Sequence, residues 1–252
     1  MSPLPGPRSG DRLGTEGSVF ATTHWTVVVA AGDKASSKAA EALEKLCRNY
    51  WYPLYAFVRR KGHDASEAED LTQEFFAQLL SKGQLANVDR TKGKFRSWLL
   101  GVMKHFLAHE WAKTRAQKRG GGSPILSLDQ FGAEERYRVE PVEEQNPERI
   151  FQRSWAITVL NQALDRLRGE YTSQGKDRLF EEIKDFVSLE GPDGSYAQVS
   201  RRLGRSESAM KSAIHRMRQR YQELIREEIA HTVASPAEVD EEIRHLLAVI
   251  RG

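Results

Sequence analysis

The chain has 252 residues, a formal net charge of +3, 39% hydrophobic and 29% charged residues. That length allows two small domains or one larger one. No stretch approaches the ~20 apolar residues of a membrane-spanning helix; an apolar run such as Val27 to Ala31 is far too short. Cys47 is the only cysteine, which excludes an internal disulfide and a zinc site built on paired cysteines. Beside Leu43 and Leu46 it reads as a small core hydrophobe.

Met1 to Glu16 is rich in Pro and Gly and lacks an apolar core, so it reads as a disordered tail and not as a secretory signal. Thr22-Thr23 offers an N-cap before Trp25 and Val28. A helix is expected from about Ser37 to Lys61, with Leu43, Leu46, Tyr50, Leu54 and Phe57 at helical spacing, a kink at Pro53 and an end at Gly62. Ser66 would cap a helix from Glu67 to Leu80. Its buried stripe would hold Leu71, Phe75, Phe76, Leu79 and Leu80, and Glu67, Asp70 and Glu74 would share another face. Such an acidic stripe is either solvated surface or a docking face for a protein.

A fourth helix is expected over Lys94 to Lys118, with Phe95, Leu99, Val102 and Phe106 toward a core. Gly120-Gly121-Gly122-Ser123-Pro124 cannot continue it, and an acidic linker follows. Asn146-Pro147-Glu148 opens the next helix with a cap, a proline at the first helical position and an acid in the first turn. It runs to about Arg168, and another covers Asp177 to Leu189. Ser195–Leu203, a turn at Gly204-Arg205-Ser206, and Glu207 to about Ile229 read as helix-turn-helix. Ala197, Val199 and Leu203 would meet Ala209, Ile214 and Met217 across it. Residues 231–252 form an acidic helix that either packs on the preceding domain or docks on a basic face as an internal inhibitor.

The mild net charge hides segregation. Lys94 to Gly120 carries seven basic residues against Glu110, and Arg201 to Arg220 carries seven against Glu207. Ser127 to Gln152 between them carries seven acids against three arginines. Two basic segments of this kind point to polyanion contact at two places. In a helix-turn-helix the start of the second helix meets base edges in the major groove. Arg205, Ser206, Glu207, Ser208, Lys211, Ser212 and His215 occupy that start. Arg216, Arg218 and Arg220 lie where phosphates would be. The 94–118 helix interleaves aromatics with Lys, His and Arg, which suits unstacked bases on a single strand.

Three stretches together, Glu69-Asp70-Leu71-Thr72-Gln73-Glu74-Phe75-Phe76, Phe95-Arg96-Ser97-Trp98-Leu99, and Ser195 to Gly204 followed by the Lys211–Arg218 helix, resemble the extracytoplasmic-function sigma factors, the small bacterial sigma factors. The likeness covers about residues 20–228. It implies an all-α fold of two small helical domains joined by a flexible linker. These would be a tail at 1–18, a sigma region 2 at 19–118, an acidic linker at 119–146, a sigma region 4 at 147–230 and an extension at 231–252. It further implies a promoter-recognition subunit without catalytic activity. Asp70, Gln73, Glu74 and Phe75 would dock on the clamp helices of the largest subunit of core RNA polymerase. Trp98, Lys104, His105, Trp111 and Arg115 would engage and open the −10 element. The Arg205–Arg218 segment would read the −35 element as duplex. An anti-sigma factor or a regulatory kinase would be further partners, no cofactor is expected, and the setting would be the bacterial cytosol at the nucleoid. Family members often carry Asn and Asp where His105 and His109 stand.

His105 and His109 are at i, i+4, but their order is not His-Glu-x-x-His and Lys104 would repel a cation, so no metal site is expected. No phosphate-binding glycine loop or serine elbow occurs. The rival reading is a stand-alone helix-turn-helix regulator that binds duplex DNA as a dimer. A nucleic-acid enzyme would need an acidic metal cluster, and the sequence offers none.

Overall fold

α1, Ala39–Arg60, is the first helix of a computed structural model that describes residues 39–81, 85, 93–116, 132–138, 146–187, 196–230, 233 and 235–251. The expected N-terminal tail, the Thr22-Thr23 cap and the glycine run at 120–122 lie outside those residues. α1 runs through Pro53 and buries Leu46, Tyr50, Leu54 and Phe57 as their spacing predicts.

α2 spans Ala65–Ser81. Its cap is Asp64, not Ser66: the Asp64 carboxylate accepts from the Glu67 amide at 2.8 Å, and the Asp64 carbonyl accepts from Ala68. Asp64 with Glu67 three residues on is a capping-box spacing, two residues earlier than the Ser66 cap expected. α3 spans Phe95–Ala116 and buries Phe95, Leu99 and Phe106, with Leu100 and Met103 beside them.

Part of the linker is ordered. α4, Ala133–Arg138, lies on α1. Arg59 donates to both carboxylate oxygens of Glu134 at 2.9 and 3.0 Å, and the Tyr55 hydroxyl donates to the same group at 2.6 Å. Arg59 also sits over the Tyr137 ring at 4.8 Å, and Arg136 over Tyr52 at 3.7 Å. Within the flexible acidic linker expected at 119–146, this short helix is held by charges and rings. Glu134→Ala is expected to cost about 1–3 kcal/mol, the range for a partly buried charged hydrogen bond whose donors are left behind. Thermal unfolding measures that loss, and Glu135→Ala, on the exposed side, should not reproduce it.

α5, Pro147–Ser173, starts as its sequence predicts, with the Asn146 side chain accepting from the Glu148 amide at 2.9 Å. It runs a turn beyond Arg168. Gly175, at φ 64°, ends it in a Schellman arrangement, its amide donating to Thr172 O and the Lys176 amide to Tyr171 O. Gly169, one residue past the expected end, lies inside the helix.

α5 belongs to two cores. Ile150, Phe151, Trp155, Ala156 and Val159 pack with α1, α2 and α3, while Ala163 and Leu167 pack with the elements that follow. Those are α6 (Asp177–Ile183), a 3-10 turn (Lys184–Val187), α7 (Tyr196–Leu203) and α8 (Glu207–Ala230). The units expected at 19–118 and 147–230 therefore share one apolar cluster among the described residues. A 3-10 turn, Pro236–Glu238, leads into α9, Val239–Arg251, which rests on α5 and α8.

Candidate nucleic-acid and polymerase-binding surfaces

The α7–turn–α8 unit has the helix-turn-helix connectivity that Gly204 suggests. Gly204 takes φ 62°, and the Arg205 amide donates to Ser200 O at 3.0 Å, which closes α7 and turns the chain. Val199 of α7 meets Met210, Ala213, Ile214 and Met217 of α8, all buried. Ala209 is exposed; Met210, one residue on, takes the core position expected of it. The side of α8 opposite this seam is therefore in solvent. Arg205, Ser206, Glu207, Ser208, Lys211, Ser212, His215 and Arg216 are all exposed there. Ser206 also caps α8, its hydroxyl accepting from the Ala209 amide at 3.2 Å.

Further along α8 the basic charge is used internally. Arg218 is exposed but its Nε donates to Phe186 O at 2.7 Å. Arg220 is held by Glu170, Glu223 and Glu227, with its closest contact to Glu170 at 2.7 Å. Those carboxylates raise its proton affinity above that of an ordinary guanidinium. Arg166 binds Glu227 and Glu228, each at 2.6 Å. Arg220 thus ties α8 to α5, and the formal charge of the 201–220 segment overstates what faces solvent.

On α3 the expected residues separate. Trp98 is half-buried, 5.4 Å from the Phe95 ring. His105 is exposed, and Trp111 is the large apolar side chain most open to solvent among the described residues, at 62%. Lys104 pairs with Glu148 at 2.7 Å, and the ammonium holds that carboxyl below its usual range. Lys104, Trp111, Lys61 and His63 line an open cleft of about 490 Å³ at the ends of α1 and α3. The Arg115 side chain lies outside the described residues.

The α2 face carries Asp70 and Glu74 in solvent, with Gln73 partly exposed. Phe75 departs from the expectation. It is 2% exposed and packs edge-on to Phe76 and Phe106, both rings at 5.6 Å. It holds α2 to the bundle and offers no surface in this state. Glu69, partly buried beside Asp70, is pushed up by burial first and by the Asp70 charge second.

Residues 47–117, which take in most of α1 and all of α2 and α3, match the sigma-70 region 2 model. The extracytoplasmic-function RNA polymerase sigma factor SigE of Mycolicibacterium smegmatis is 27% identical over 213 residues, covering 84% of this chain and 72% of that protein. The chain is thus similar to extracytoplasmic-function sigma factors over most of its length, and to sigma-70 region 2 over residues 47–117. No solved structure gives a significant match. No helix among the described residues is long and apolar enough to cross a membrane.

One buried cluster joins α3 to α9. Arg96, second residue of α3, is 3% exposed, and Glu242 of α9 is 1% exposed. Glu242 approaches Arg96 at 2.6 Å and Lys94 at 2.5 Å. The approach is close but lies off the hydrogen-bonding line, so the attraction is mainly coulombic. Arg96 also donates to Gln152 at 2.9 Å and lies 4.7 Å over the Trp155 ring. A signal for this existed: Glu242 falls on the same stripe as Val239 and Leu246, a charge among core positions.

His245 stands beside this cluster, 3.4 Å from Gln152. Burial first, then the Arg96 and Lys94 cations, lower its pKa below 6.5, against the opposing pull of Glu242 and Glu241. The folded state thus favours the neutral ring, and the unfolded chain binds the proton more readily. Stability is expected to be full above pH 6.5 and to fall as pH drops below it. Glu134, Glu148 and Glu227 are lowered, so their contribution is lost only below about pH 4.5. Thermal midpoints across pH 4–8 should show both steps, and His245→Gln should remove the upper one alone.

Proposed function

We propose that this chain is a sigma factor of the extracytoplasmic-function type, which serves transcription initiation by docking core RNA polymerase through Asp70, Gln73 and Glu74 and reading the −35 element as duplex with the start of α8. It would open the −10 element with α3, where Trp98, Lys104, His105 and Trp111 take part, and Arg115 would extend that segment. The observation that carries this reading is the exposed start of α8: Arg205, Ser206, Glu207, Ser208 and Lys211 stand in solvent opposite a fully buried seam. That is the placement a recognition helix needs to enter the major groove. Trp111 supports the strand-opening part, because an exposed ring on a basic helix can stack on an unpaired base.

The work done is binding and strand separation, without covalent chemistry, in the bacterial cytosol. Core polymerase and promoter DNA are the partners this requires. The deciding experiment is transcription in vitro with core polymerase, with and without the protein, on a library of candidate promoters. Initiation that depends on the protein supports the reading. Duplex binding as a dimer, with no effect on polymerase, would favour the stand-alone regulator.

A further inference from the structure

α3 and the C-terminal end of α8 share one core with the first half of α5, the duplex-reading start of α8 sits on the second core, and α9 reaches from the end of α8 to the start of α3. Its apolar residues Leu246 and Val239 are buried with α5 and the end of α8. Asp240 pairs with Arg226 of α8 at 2.6 Å. Its one buried charge reaches the other way, to Lys94 and Arg96 at the start of α3.

The chemistry of that charge is informative. A leucine at position 242 would bury on the same stripe without loss of hydration. A buried carboxylate between two cations gives up hydration that its attraction barely returns, so such a pair sets register more than it adds strength. It also remains soluble when exposed, which an apolar residue does not. This suits a contact that is made and broken.

Separation is also demanded by distance. The −35 and −10 elements lie roughly 25 base pairs apart, about 85 Å of duplex at 3.4 Å per pair. A compact chain of this length has a radius of gyration of about 18 Å. A molecule closed on one core cannot touch both elements.

We propose that α9 is a built-in latch, with Glu242 as its catch, which holds the duplex-reading half closed against α3 and must release before both elements are read. The proposal rests on the sigma reading for its purpose, but the closure itself is measurable without polymerase or promoter.

The test uses the full chain with spin labels at Ser66→Cys and Gln222→Cys, both exposed; Cys47 is buried and its thiol is pushed up to about 12, so it stays unlabelled. The unaltered Glu242 chain should give a single short distance population. Glu242→Arg, which sets a third cation against Lys94 and Arg96, should add a longer population at unchanged helical content. Glu242→Gln should do so in part. Binding to a random-sequence duplex at low salt should tighten about tenfold in the open variant as more basic surface becomes available. Unchanged distances in Glu242→Arg overturn the latch. If Glu242→Arg loses helical content, Glu242→Gln decides: unchanged distances and DNA binding there make Glu242 a structural ion pair and overturn the latch as well. Failure of polymerase-dependent transcription, with the distance change intact, would overturn the sigma reading instead.

Discussion

Replacing Asp70 and Glu74 together by Ala is expected to weaken binding to core polymerase by about 10- to 100-fold, in line with about 1–3 kcal/mol for interface charges that meet complementary partners. Both side chains are in solvent on α2, so their loss removes no buried contact and the melting temperature should hardly move. Binding of the same variant to duplex DNA should be unaffected, because the start of α8 belongs to a different core. The reciprocal pair, Arg205→Ala with Lys211→Ala, should leave polymerase affinity intact and weaken duplex binding by a similar factor, with a shallower dependence on salt. Titration of each variant against core polymerase and against DNA checks both halves. Equal loss of both functions in each variant would mean misfolding and would sink the assignment of two separate surfaces.

The largest effect on stability is expected at Arg96. Arg96→Ala leaves Glu242 buried with Lys94 alone, removes the donor to Gln152 and takes away the cation over Trp155. Breaking one partner out of a buried ion pair costs about 3–5 kcal/mol. The double replacement Arg96→Met with Glu242→Leu removes both charges and keeps the volume apolar, so it should recover most of that loss or exceed the starting stability. Denaturant unfolding of the single and double variants measures the difference. A double variant as unstable as Arg96→Ala would show that the arginine acts by packing on Trp155 rather than by its charge. Burial lowers the Arg96 proton affinity first, with Glu242 opposing.

The helices were legible because their apolar spacing is strong and their ends carry local chemistry. Asn146-Pro147 placed the start of α5, and Gly204 placed the turn before α8, since both act through backbone neighbours only. Contacts made across the chain were not legible. Glu134 meets Arg59 across 75 residues, and Arg96 meets Gln152 across 56. Nothing in the local pattern announces such partners. Phe75 shows the same limit within the candidate site. Its motif places it beside Asp70 and Glu74, but a phenylalanine on the inner stripe of an amphipathic helix is drawn to the core. On α8, helical phase separated the exposed start from the buried seam correctly. It could not show that Arg218 and Arg220 are already occupied by Phe186 O and Glu170.

The docking of α4 on α1 also fixes a leash. From Ala116 to Asn146 the chain has about 30 residues, enough to stretch roughly 100 Å when fully extended. With Glu134 gripped by Arg59 and Tyr55, the chain from Arg138 to Asn146 spans at most about 29 Å. The grip therefore shortens the chain that joins α1 to the start of α5 to under a third of the length it would have if the whole span from Ala116 were unanchored.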